Sequence, residues 1–193
     1  MRVIFILDNL YPNGKASSAR VREYGKGFLK NGVETLVWMP APRQPYADKN
    51  VLNPQLKGVD KNGVRYEYIS GSSKRNKNIL VRQLQDFYGY SSTLFKILKK
   101  CHKGDCIVIY EGSVLWHRLC VMVAHYVGAK CGLELNEFPY GVSKETSQTK
   151  KKRKIMLEKI FPKVDFIWAI SESLYQLAKQ YAPQANIIKV PIM

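Results

Sequence analysis

Acidic residues are scarce in this chain: 15 Asp and Glu stand against 31 Lys and Arg, a formal charge of +16 over 193 residues. That imbalance favours polyanionic partners, whether nucleic acid, an anionic membrane surface or phosphorylated substrates, without choosing among them. There is no G-x-G-x-x-G and no Walker pattern, which counts against a dinucleotide site or a P-loop. The four cysteines, Cys101, Cys106, Cys120 and Cys131, form no C-x-x-C pair and read as buried reduced thiols. Three histidines, His102, His117 and His125, make no zinc signature. No apolar run reaches membrane-spanning length, because His117, Arg118 and His125 interrupt the longest. Residues 1–8 have only Arg2 as a basic n-region and no small-residue cleavage site, so they read as strand rather than signal peptide. The expected location is cytoplasmic. Internal repeats are absent too.

What is present is a regular alternation of short apolar runs and 3.6-period stripes. Strands are expected at 2–8, 34–39, 64–69, 106–111, 130–136, 164–170 and 187–190. Helices are expected at 18–31, 79–100, 113–128, 150–161 and 172–182. Asn31-Gly32 is a natural helix stop, Ser171 or Ser173 is available as an N-cap, and Pro183 ends the last helix. The alternation predicts an α/β fold, a Rossmann-like parallel sheet of about seven strands with helices on both faces. With 46% hydrophobic and 11% aromatic residues, the chain can fill one core. The polar stretches 41–62, 70–78 and 141–154 read as exposed loops. An apolar Val-Pro-Ile-Met end is an odd stopping point, and the expectation is one domain of a longer protein.

The first motif is Arg2-Val-Ile-Phe-Ile-Leu-Asp8, a strand that runs into Tyr11-Pro-Asn-Gly14 and then a helix opening near Ser18. A strand, loop and helix N-terminus in that order offer N–H groups and a positive dipole end to an anion at the sheet edge. Later come Glu134-Leu-Asn-Glu-Phe-Pro139, Asp165-Phe-Ile-Trp-Ala-Ile-Ser-Glu172 and Ile187-Ile-Lys-Val-Pro191. Taken in order, these segments resemble the N-terminal half of family 4 glycosyltransferases of the GT-B type. The resemblance runs over essentially the whole chain. It implies one half of a GT-B fold, in which two Rossmann-like domains face each other across a cleft. It further implies retaining transfer of a sugar from a nucleotide-sugar donor, with no cofactor or metal, to a glycan or lipid-linked acceptor in surface polysaccharide or glycolipid assembly. The C-terminal donor-binding domain would be absent from this chain, which alone would be inactive. Glu137 and Glu145 share the E-x7-E spacing of that missing half, but they fall in the wrong domain and read as a chance match.

Carried onto this sequence, the resemblance places Gly14, Lys15 and Arg20 near the donor diphosphate. Asn-Gly-Lys-Ala-Ser-Ser departs from the richer glycine runs of the family, and Gly14 also suits an ordinary turn. Arg20 could instead pair with Glu23. Asp8, Glu111, Glu134, Asn136 and Glu137 stand at strand ends, where carboxylates and an amide suit sugar hydroxyls or a salt-bridged rim. His117 is the one candidate to polarise a hydroxyl, set against the reading of a packed helix histidine.

Lys150, Lys151, Lys152, Arg153 and Lys154 lead into Met156, Leu157, Ile160 and Phe161, the composition of a helix that lies on anionic lipid. That reading makes the chain peripheral at the inner face of a membrane. The bland alternative is a solvated helix start whose apolar side joins the core. A rival from another class is a non-catalytic basic Rossmann-like module holding RNA or anionic lipid. The absence of a sheet-face stacking motif counts against nucleic acid.

Overall fold

The computed structural model describes residues 1–141 and 146–190. Glu145, part of the 141–154 loop and the chain end after Val190 lie outside the described residues. Chain order is β1 (Arg2–Leu7), α1 (Ala16–Lys30), β2 (Glu34–Met39), β3 (Lys57–Val59), β4 (Arg65–Tyr68) and α2 (Ile79–Lys100). There follow β5 (Cys106–Tyr110), α3 (Val114–Tyr126), β6 (Lys130–Leu135), α4 (Ser147–Ile155), β7 (Phe166–Ala169), α5 (Glu172–Tyr181) and β8 (Asn186–Lys189). One sheet holds the strands in the order β3-β4-β2-β1-β5-β6-β7-β8, parallel throughout except for β3 against β4. The fold is α/β and Rossmann-like, as the hydrophobic alternation predicts.

The strands β1 and β5 are nearly unbroken apolar runs because both their faces are covered. On one face, Ile4, Ile6, Ile107, Ile109 and Leu133 pack under α2, α3 and α5. On the other, Val3, Phe5, Leu7 and Val108 meet Val21, Tyr24 and Phe28, all from α1. Arg2 pins the start of β1 to the buried Asp105 carboxylate, with Nη2 at 2.6 Å from Oδ2. Four helices have side-chain N-caps, from Asn78, Ser113, Thr146 and Ser171. The thiols of Cys101, Cys120 and Cys131 are buried and free, while Cys106 is half-buried.

Three expectations need correction. Among the described residues the sheet has eight strands, one beyond the seven expected spans, because the 41–62 stretch contains the short antiparallel edge strand β3, joined to β4 by a tight turn at Asn62-Gly63 where Gly63 takes φ +91°. That stretch is also not a free loop. Ala41, Gln44 and Asn53 are buried in it, and Asn53 exchanges hydrogen bonds with the Asn13 backbone at 3.0 and 2.8 Å. Tyr11 donates to Asp60 at 2.5 Å, which ties the stretch to the β1–α1 loop. Finally, the helix after the basic run widens into a π-turn at Met156–Ile160 and tightens to 3₁₀ at Phe161–Lys163. Met156, Leu157, Ile160 and Phe161 are all buried in the core, so this segment has no apolar side left for a membrane. Arg153 of the same run donates to the Pro139 and Gly141 carbonyls at 3.1 and 2.6 Å.

Gly89 lets α2 seat on the sheet edge, because a Cβ there would collide with the Pro40 carbonyl. Gly27 on α1 has nothing within 4 Å of such a Cβ. We expect Gly89→Ala to lower stability by about 1–3 kcal/mol through overpacking. Gly27→Ala should raise it by about 1 kcal/mol through helix propensity. Denaturant titration of the two variants checks the opposite signs.

Candidate functional site

Strand order reverses between β1 and β5, where the chain leaves toward β2 on one side and returns for β6 on the other. Open parallel sheets present their ligand crevice outside the carboxyl ends of the strands at such a point. Asp8 ends β1 there and Glu111 follows β5. Asn136 and Glu137 follow β6, one strand further along. A hollow of about 230 Å³ opens at this edge. Glu111, His117, Asn136, Glu137 and Tyr140 are among the residues that line it.

Among the described residues, only two that are not glycine take positive φ: Glu111 at 67° and Tyr140 at 59°. Both line this hollow. Such a backbone costs on the order of 1–3 kcal/mol per residue and persists where surrounding structure imposes it, commonly at ligand sites. Gly112 follows at φ +136°, and a Cβ there would come within 2.5 Å of Trp116. The Glu111-Gly112 turn is thereby folded tightly over the start of α3.

The charges are held in a definite order. Arg43 donates to both oxygens of Asp8 at 2.7 and 2.8 Å, and the Tyr90 hydroxyl adds a bond of 2.9 Å. Burial pushes the Glu111 carboxyl above its ordinary range, and the nearby charges of Asp8 and Glu137 push the same way against Asn136 and Arg43. His117 is buried, and that burial holds its pKa below the ordinary histidine value. Its Nδ1 lies 2.8 Å from the Ser113 carbonyl. The ring is therefore a neutral imidazole with its proton on Nδ1 and an acceptor at Nε2.

Glu134 also lines the hollow, as the sequence reading places it, but its carboxylate is already engaged. The Glu134 side chain turns to the α1 face, where it pairs with Arg20 and accepts from Tyr24 at 3.2 Å. Arg20 therefore meets Glu134 rather than Glu23, and its guanidinium is committed to that buried pair. Gly14 is needed by the loop itself, since a Cβ would press on Ser18 and come 2.7 Å from the Leu10 carbonyl. Lys15 is exposed at the N-cap of α1, which has no side-chain cap and no acidic residue in its first turn. Lys150, Lys151, Lys152 and Lys154 are exposed on the segment corrected above. Arg43, Tyr90 and Tyr140 were missed, although they shape the edge. They lie far apart in sequence, in segments whose local pattern announces only a loop or a helix. No group of His, Cys, Asp and Glu side chains among the described residues is arranged to hold a metal ion.

No protein-family model and no curated protein sequence matches the chain. Solved structures do. Sucrose-phosphate synthase (tll1590) from Thermosynechococcus elongatus superposes with a TM-score of 0.67 at 13% identity, over 99% of this chain and 48% of that one. A shorter chain of the same protein gives 0.55 at 11% identity, over 99% of this chain and 88% of that one. Anabaena Alr3699/HepE in complex with UDP-glucose gives 0.54 at 11% identity, over 98% of this chain and 43% of that one. What is shared is the fold. The chain spans about half the length of the first and third of these proteins.

Burial pushes Glu134 up to about 7 from its ordinary 4.5, although Arg20 and Tyr24 favour its charged form. The folded state thus holds this proton more tightly than the unfolded chain. Its stabilising contribution is complete below pH 4.5 and is lost as pH rises through about 7. The stability of the parent minus that of Glu134→Gln should fall over this window by on the order of 3 kcal/mol. A flat or rising difference in urea titrations would reject the assignment.

Proposed function

We propose that this chain is the acceptor-side half of a nucleotide-sugar-dependent glycosyltransferase of the GT-B type, related to family 4. The observation that carries the reading is the hollow at the carboxyl ends of β5 and β6, next to the strand-order reversal, which among the described residues gathers both left-handed non-glycine residues, Glu111 and Tyr140, with His117, Asn136 and Glu137. Support comes also from the ordered motifs, and from a fold shared with a sucrose-phosphate synthase and with a protein crystallised with UDP-glucose.

In this reading the hollow holds the acceptor, or the sugar in transit, by its hydroxyls. Glu111 and Glu137 accept or share hydroxyl protons, Asn136 offers both a donor and an acceptor, and His117 accepts at Nε2. A neutral imidazole suits that role, since it neither repels the positive charge that develops on the departing sugar nor needs a counterion. The exposed start of α1, which has no side-chain cap, and Lys15 face the donor diphosphate with backbone N–H groups and a positive dipole end. Transfer itself is positioning and electrostatics, with retention of configuration and without a metal or a protein nucleophile from this half. A second Rossmann-like domain following residue 193 supplies most of the nucleotide contacts and closes the crevice. The product class is a surface polysaccharide or a glycolipid, made at the cytoplasmic side.

The test uses the complete reading frame. A second βαβ domain should follow residue 193, and the complete protein should transfer sugar from a nucleotide sugar. In it, Glu111→Gly should cut kcat by roughly 10- to 100-fold, the worth of one charge-assisted hydrogen bond. The same substitution should raise the stability of the chain by about 1 kcal/mol, because glycine takes φ 67° without strain. Loss of stability together with unaltered kcat would overturn the site, and a stop codon shortly after residue 193 would overturn the two-domain reading.

A further inference from the structure

Helix α2 is apolar on two opposite sides. Gly89, Thr93 and Ile97 face inward and are buried. On the outside, Leu80, Leu84, Phe87 and Phe95 are exposed at 66, 68, 72 and 57%, and Leu98 continues the line. Positions 80, 84, 87, 91, 95 and 98 fall on one helical stripe, and only Ser91 in it is polar. From position 80 to position 98 the stripe is about 27 Å long at 1.5 Å per residue, most of the helix. The neighbouring helix α3, joined through Tyr90 and Trp116 with ring centroids 4.6 Å apart, adds exposed Leu115, Met122 and Tyr126. Contiguous apolar surface of this extent marks a docking face.

Its charge says what docks. Between residues 71 and 130 the chain carries ten Lys and Arg and three acidic residues, and none of the acidic three is exposed. Asp105 is buried against Arg2, Asp86 is half-buried beside Arg43, and Glu111 lines the hollow. Glu67, the acidic neighbour on β4, is paired with Lys96 at 2.5 Å. Lys99 lies over the Phe95 ring at 4.5 Å, an ammonium held beside an exposed apolar side chain. A second copy of the chain would bring like charge against like, on molecules of +16 each. No helix among the described residues is long and apolar enough to cross a membrane.

We propose that the outer face of α2 and α3 lies along an anionic lipid bilayer, with the apolar stripe in the acyl boundary and the lysines at the headgroups. This surface replaces the 150–154 segment, whose apolar side belongs to the core. It places the bilayer beside the carboxyl edge, because Tyr90 of α2 bonds Asp8 and His117 of α3 lines the hollow. Lipid binding does not depend on the chemistry proposed for the hollow, so either can fail without the other.

The experiment is co-sedimentation of the chain with vesicles of phosphatidylcholine alone or mixed equally with phosphatidylglycerol, with no nucleotide sugar present. Binding to the anionic vesicles should be at least about 10-fold tighter than to the neutral ones. Leu84→Glu with Phe87→Glu should abolish it, and Lys99→Glu with Lys100→Glu should remove the anionic preference while leaving the stripe intact. Lys150→Gln with Lys151→Gln should retain most of the binding. Circular dichroism melts show whether each variant is folded, and all these positions are exposed. The proposal is overturned by failure to bind either vesicle. Loss of binding in the 150/151 variant alone would overturn it as well. So would a dimer in sedimentation velocity that Leu84→Glu with Phe87→Glu dissolves while vesicles go unbound.

Discussion

The Arg43 guanidinium clasps Asp8 with two hydrogen bonds, while the Tyr90 hydroxyl bonds the same carboxylate and stands 2.6 Å from the guanidinium. This network ties the tip of β1, the segment after β2 and helix α2 at the point where strand order reverses. Its electrostatic role is as important as its mechanical one. Asp8, Glu111 and Glu137 converge on one edge of a chain that is otherwise short of acidic residues. Without a countercharge their mutual repulsion would splay that edge, and Arg43 supplies it at the innermost of the three.

The cost of that arrangement is visible further out. Glu111 carries a carboxyl that burial keeps partly toward its neutral form, on a backbone in the left-handed region. Tyr140 across the hollow shares that backbone strain. A sheet made only for stability would place glycine or asparagine at both positions. Behind this edge, the Arg20–Glu134 pair fixes α1 to β6 and so sets where the uncapped start of α1 stands. This edge is thus strained and charged, and it rests on a paired and well-packed layer beneath.

The fold was largely readable from the chain because its strands are short apolar runs between clear helical stripes. Helix α2 matches its expected limits, 79–100, and β2 matches 34–39. The edge strand β3 escaped because only Val59 in it is a strong strand former, although the Asn62-Gly63 turn was an available hairpin signal. The site was readable only in part. Residues at strand ends, namely Asp8, Glu111, Asn136 and Glu137, could be placed because strand ends are visible in the pattern. Glu134 lines the hollow too, but its pairing with Arg20 was not readable, because period-two alternation gives a side chain's face and not the partner waiting there. Arg43 and Tyr90 were invisible, since their partner Asp8 lies 35 and 82 positions away. The apolar stripe of α2 was hidden for a related reason. On a helix with two apolar sides, the sequence does not say which of them is buried until its neighbours are known.

In the proposed site, ligand sits between the Glu111-Gly112 turn, the start of α3 and the segment after β6, next to the strand-order reversal. Amide chemical-shift mapping during titration with nucleotide sugars puts this to the test. Shifts should concentrate at 9–15, 111–117 and 136–141. Shifts centred on the opposite sheet edge, around Gly32, Gly104 and Gly128, would contradict it.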